Sequence, residues 1–210
     1  MVSKINSRKG RYYVFALFVI FSIAVERCAS HVLSDDPEIA LTLDEPWEDM
    51  RQRSSAVISP AIPDEIWFRM PKSDARLRFI DPIYGFETPL ARFLTIGFIN
   101  GRVRNIRMSP QVEPLLLDDA LKIVLDLQSQ LKKSGWYLVF PKTEPAIADT
   151  VEWRAKLRDA NKGGRTFWQA EEKYQVMLGL NRFKDNKRPR EERYMITLAV
   201  GKPWVPHDEG

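Results

Sequence analysis

Thiol and imidazole chemistry are nearly absent from this chain of 210 residues: it has one cysteine, Cys28, and two histidines, His31 and His207. A lone cysteine near the N-terminus leaves the rest of the chain without a disulfide, a thiol nucleophile or a thiolate for zinc. The histidines fall outside the stretch with strand and helix patterning. A Ser-His-Asp triad, an HExxH zinc site, a haem ligand and a facial metal triad therefore lack their imidazoles. No G-x-S-x-G, Walker loop or G-x-G-x-x-G occurs, and Gly163-Gly164 reads as a loop. No repeat is visible at a period of 20 to 50 residues, which argues against a solenoid. Chemistry, if any, falls to carboxylates, lysine, tyrosine or serine. The expectation is a protein that is not an enzyme and needs no cofactor and no metal.

What is present suits one folded domain with extensions: 44% of residues are hydrophobic and 29% charged. The formal net charge of +4 is misleading until it is divided. Residues 1–30 alone carry +4, residues 31–65 carry −7 and residues 66–210 carry +7. In the last segment acids are interspersed with bases, so a solvated mixed-charge surface is the plainer reading than attraction of an acidic partner or membrane headgroups. Lys4, Arg8, Lys9 and Arg11 precede fourteen uncharged residues, 12–25. Fourteen is short of the roughly 20 that span a bilayer as a helix and fits the apolar core of a signal peptide. The alternative is an uncleaved anchor through residues 12–25, with the basic flank cytoplasmic and residues 31–210 outside. Val25-Glu26-Arg27 lacks the small apolar residues that precede a lipidated cysteine. The expected location, for a bacterial source, is the periplasm or the outer face of the cytoplasmic membrane.

Residues 31–65, acidic and punctuated by Pro37, Pro46, Pro60 and Pro63, read as a linker in which Asp44 N-caps a short helix through Arg53. Residues 66–70 and 77–80 read as short strands. Asn100-Gly101 favours a two-residue type I′ turn between strands 93–99 and 102–108. Regular pairing puts Phe98 opposite Val103, Ile96 opposite Asn105 and Leu94 opposite Arg107, with Arg102 and Arg104 on one face and Arg107 on the other. A helix over 118–134 has Asp118 and Asp119 at its positive end, Lys132 and Lys133 at its negative end and Gly135 as its left-handed cap. Leu117, Leu121, Val124, Leu125, Gln128 and Leu131 mark its buried stripe. A strand over 136–140, a helix over 147–161 and strands over 173–183 and 193–201 follow. The predicted fold is α+β, in the order β-β-α-β-α-β-β. An antiparallel sheet of about five to six strands carries two amphipathic helices on one face, and residues 66–204 form one domain with a tail at 205–210.

Arg102, Arg104 and Arg107 are the candidate partner-binding residues, since guanidinium forks grip carboxylates and phosphates. The basic connection 184–192 contains Asp185, Glu191 and Glu192 and reads as a solvated loop. The sheet lacks the aromatic-and-glycine pattern of a base-stacking surface, so nucleic acid is not expected. Glycoside hydrolysis needs two carboxyls roughly 5 to 9 Å apart. Of the acid pairs, Asp118-Asp119 is explained by the helix terminus, and adjacent strand residues such as Glu171-Glu172 point to opposite faces. Among the six tryptophans, Trp136 is expected in the core; burial is also the plainer reading for the others, with protein or glycan contact for any that are exposed. The expected function is an exported envelope protein, periplasmic or membrane-anchored, that binds another protein without catalysis, as an inhibitor or immunity factor. The alternatives are a carboxylate-dependent hydrolase of envelope polysaccharide, with Glu171 or Glu172 as acid, and a structural part of a membrane assembly.

Overall fold

Alternation of apolar residues along five long strands builds a sheet with one dry face. The computed structural model describes residues 36–206. In them the elements run β1 (Glu38–Leu41), α1 (Trp47–Arg53), β2 (Ile66–Arg69), β3 (Arg76–Phe79), β4 (Phe86–Glu87), β5 (Phe93–Ile99), β6 (Arg102–Ser109), α2 (Leu117–Lys133), β7 (Tyr137–Leu138), α3 (Val151–Arg158), β8 (Gly164–Ala170), β9 (Tyr174–Phe183) and β10 (Arg193–Gly201). Seven strands form an antiparallel sheet in the spatial order β2-β5-β6-β10-β9-β8-β7, and β1, β3 and β4 form a small mixed sheet. The α+β class is as the pattern predicts; the strand number and order are not. The proposed leader or anchor, Cys28, His31 and His207 lie outside the described residues. Among the described residues no helix is long and apolar enough to cross a membrane.

Cross-strand register turns Leu94, Ile96 and Phe98 of β5, Val176, Leu178 and Leu180 of β9, and Tyr194, Ile196, Leu198 and Val200 of β10 to one face, and none is more than 1% exposed. Helix α2 covers this face with Leu117, Leu121, Val124, Leu127 and Leu131. It ends as its sequence predicts: Gly135 has φ +84° and Trp136 N donates to Leu131 O at 3.0 Å. The buried Gln128 of the same stripe has a second task. Its Nε2 donates to Ile147 O at 2.7 Å and its Oε1 accepts from Ile147 N at 2.9 Å, so it stands in for a strand partner. That pairing holds residue 147 out of any helix. The predicted helix over 147–161 shortens to α3, capped where Trp153 N donates to Thr150 Oγ1.

The predicted linker is folded from residue 37 onward and belongs to the domain. All four residues of β1 are buried, β1 runs parallel to β3, and Met50 of α1 is fully enclosed. Its buried acids are matched by bases within the fold: Glu38 pairs with Arg76 at 2.7 Å and Arg78 at 2.8 Å, and Glu45 pairs with Arg53. Local negative charge therefore hid a strand whose cations come from β3. Asp44 does not cap α1; Pro46 occupies that place with no side-chain bond. Strand β8 is likewise unforeseen, although Thr166, Phe167 and Trp168 favour a strand.

Candidate functional site

Asn100 and Gly101 adopt φ of +50° and +71°, as a type I′ turn requires. Below the turn the register slips. Ile99 faces Arg102 and Phe98 faces Val103, but Gly97 faces Asn105 and Thr95 faces Arg107, so Arg104 is the extra residue of a β-bulge. Gly97 makes the slip feasible, because a Cβ there would lie 2.6 Å from Asn105 Oδ1. The bulge reverses the predicted parity: Arg107 joins Arg102 on the face turned away from the helices. Both are exposed, and among the described residues Arg107 forms no ion pair.

Arg102 and Arg104 are drawn together by a residue from the predicted linker. Asp44 Oδ1 accepts from Arg104 Nη1 at 2.6 Å, its Oδ2 pairs with Lys202 Nζ at 2.6 Å, and its backbone oxygen accepts from Arg102 Nη1. The backbone reinforces the clamp, with Asp44 N donating to Val103 O at 2.8 Å and Val103 N donating to Glu45 O at 2.9 Å. Lys202, aided by Arg104, holds the Asp44 carboxyl below the usual carboxylate range despite partial burial. Arg104 is therefore a structural tie rather than a free cation.

The two glutamates singled out for hydrolysis occupy the β8–β9 turn. Glu171 has φ +48°, its side chain is exposed, and Lys173 Nζ lies 3.6 Å away. Glu172 is also exposed. Nearby, burial together with the Glu171 carboxylate pushes the Tyr84 phenol up. Asp81 accepts from Ile83 N and Tyr84 N at 2.9 Å and from Tyr174 OH at 3.1 Å. Burial works against its ionisation, yet those donors and Lys173 keep its carboxyl below the ordinary range. Asp81 is fully engaged in forming a turn. Among the described residues no three His, Cys, Asp or Glu side chains are placed to hold a metal.

Exposed apolar side chains mark two places that sequence reasoning missed. The first is β2, one of the two edge strands of the large sheet. Its partners Ile99 and Gly97 place Ile66 and Phe68 on the uncovered face with Arg102 and Arg107, and these two side chains are 79% and 63% exposed. Trp67, for which burial was the plainer expectation, is 40% exposed on the other side of the strand, with the Arg69 guanidinium 5.2 Å from its ring centroid. Trp136 and Trp168 are core residues, as expected for the first, whereas Trp204 is 46% exposed.

The second place lies at the opposite end of the same face. A cleft of about 430 Å³ opens between the start of β5, the chain after β6 and the β9–β10 connection, and Phe93, Val112, Pro114, Phe183 and Met195 form its apolar wall. Neither Glu171 nor Glu172 lines it. The connection is pinned rather than loose: buried Asp185 accepts from Lys187 N and Arg188 Nε, both at 2.9 Å, and Arg188 Nη2 reaches Glu113 at 2.7 Å. Lys187 N and Arg188 hold the Asp185 carboxyl below its ordinary range. The available signals were Phe93 and Phe183, apolar residues placed at strand ends next to charged chain. Compared with protein-family models, curated proteins and solved structures, the chain matches none.

Proposed function

We propose that this chain is an exported binding protein without catalytic activity, which recognises another protein through the uncovered face of the large sheet, at the end formed by β2 and the β5–β6 turn. The observation that carries this reading is the exposure of Ile66 and Phe68 side by side on an edge strand. Burying a large apolar side chain yields about 1.5–3 kcal/mol, so a partner that covers both has a driving force no neighbour in the fold exploits. Arg102 and Arg107 border these residues and favour an acidic partner surface. The N-terminal charge and hydropathy pattern supports delivery to the periplasm or the outer face of the cytoplasmic membrane. An inhibitor or immunity factor is a role such a surface suits.

The test uses the tagged full-length chain in envelopes of its own organism: cross-linking, identification of a stoichiometric partner, then affinity measurements on the purified pair. Phe68→Asp should weaken the complex at least tenfold and Arg107→Glu severalfold, with circular dichroism unchanged. Unaltered affinity in both variants removes this surface from consideration. Concentration-dependent self-association, abolished by Phe68→Asp, would assign the face to a second copy of the chain instead.

A further inference from the structure

We propose that the cleft between the start of β5 and the β9–β10 connection binds a single-chain amphiphile, with its apolar chain against Phe93, Phe183 and Met195 and its anionic head at Lys184 and Lys187. This site is separate from the proposed protein-binding end of the face and stands whether or not that reading holds.

Three observations converge. First, Phe93 and Phe183 are 47% and 42% exposed and both line one concavity, with Val112, Pro114 and Met195 completing the wall. Ligand sites are concave, mostly apolar and carry few polar groups. At about 430 Å³ the cleft lies toward the small end of the roughly 300–1,000 Å³ typical of such sites, which suits one chain rather than two.

Second, the floor is preformed. Gln111, 5% exposed, spends its amide entirely on the protein: Nε2 donates to Glu113 O at 2.8 Å and Tyr194 O at 3.0 Å, and Oε1 accepts from Ile196 N at 2.8 Å. Ser109 Oγ donates to Ile196 O at 2.6 Å. These bonds fix the chain after β6 against β10 and leave no floor polar group seeking a partner, so the floor is suited to an apolar body.

Third, the charge around the cleft is unbalanced. Four bases and two acids line it, and both acids, Asp185 and Glu113, are engaged by Arg188. Arg92 is paired with Asp74 outside the cleft, its Nε and Nη2 each 3.4 Å from a carboxylate oxygen. Lys184 and Lys187 are exposed, and among the described residues neither ammonium meets a carboxylate. An anion is the complement of this rim, and an apolar chain is the complement of the wall beneath it. One molecule carrying both satisfies the whole site.

The experiment is equilibrium dialysis of the full-length chain against radiolabelled decanoate below its micellar concentration, with decanol and acetate as probes of chain and charge alone. Saturable decanoate binding at one site is expected, with decanol at least tenfold weaker and acetate undetectable. Lys184→Glu with Lys187→Glu should cost decanoate at least tenfold and leave decanol unchanged. Met195→Trp, which fills the cleft, should abolish both, whereas Phe68→Asp at the other end of the face should alter neither. The proposal is overturned if decanoate does not saturate, if decanol binds equally well, or if the lysine reversal leaves decanoate affinity intact.

Discussion

The β5–β6 and β9–β10 turns both carry clusters of basic residues, and the fold uses them in opposite ways. At the first, Arg104 and Lys202 converge on the Asp44 carboxylate and Arg102 on its carbonyl. At the second, Arg188 engages Asp185 and Glu113, while Lys184 and Lys187 stand beside an apolar cleft with no acid of their own among the described residues. The cluster that looks most like a recognition device is largely an internal tie. The one that looks like an ordinary solvated loop faces a built concavity. A count of charges near a turn does not decide between these outcomes. What decides is whether an acid arrives from elsewhere in the chain, and Asp44 comes from 60 residues upstream of Arg104.

The largest test of this contrast is structural. Gln111→Ala should destabilise the domain by roughly 1–3 kcal/mol, because it strands the buried Ile196 N and takes one donor from the carbonyls of Glu113 and Tyr194, the latter still bonded to Leu115 N. Urea unfolding measures this directly. A loss under about 1 kcal/mol would show that solvent reaches those groups, and would remove the rigid floor on which the cleft depends.

A smaller effect belongs to the other turn. Asn tolerates the φ of +62° at position 44, so Asp44→Asn removes charge without adding strain. The carboxylate is 42% exposed, so solvent screens its pairs with Arg104 and Lys202 and the expected loss is about 1 kcal/mol at pH 7. High salt should shrink that difference. The sign with pH follows from the depressed native pKa: the contribution is complete above the unfolded value near 3.9 and disappears as pH falls through the lower native value. Asp185 acts in the same direction at the second turn. Urea midpoints between pH 7 and pH 2.5 should therefore fall for both proteins, less steeply for Asp44→Asn. Parallel curves would mean that the clamp adds nothing to stability.

Elements governed by near neighbours were legible in the sequence. The stripe and glycine stop of α2 and the Asn100-Gly101 turn stand where periodicity and turn chemistry put them. What failed depended on partners across a strand or far along the chain. The bulge at Arg104 follows from Asn105 lying over Gly97 across the hairpin, and it moved Arg107 to the face of Arg102. Strand β1 was hidden because its cations, Arg76 and Arg78, lie far along the chain. Alternation also cannot tell a central strand from an edge, so the exposure of Ile66, Trp67 and Phe68 was invisible until β2 was seen to be outermost. The cleft needed still more, since Phe93 and Phe183 lie on different hairpins and become one wall only when both are in place.

The smallest expected effect is the sharpest for the contrast between the turns. Reversing Lys184 and Lys187 together to Glu should change stability by no more than about 0.5 kcal/mol, the range for exposed side chains without a partner. Their ammonium groups meet no carboxylate among the described residues, and only the backbone N–H of Lys187 is used, by Asp185. Each new carboxylate would still add repulsion toward Asp185 and Glu113, but Arg188 bridges those acids and offsets part of their charge. Unchanged urea midpoints would show that the fold keeps these lysines free of structural duty, unlike Arg104. A loss comparable to that of Asp44→Asn would show the reverse: both turns would then be internal ties, and a drop in decanoate binding by the same variant would report on folding rather than on the cleft.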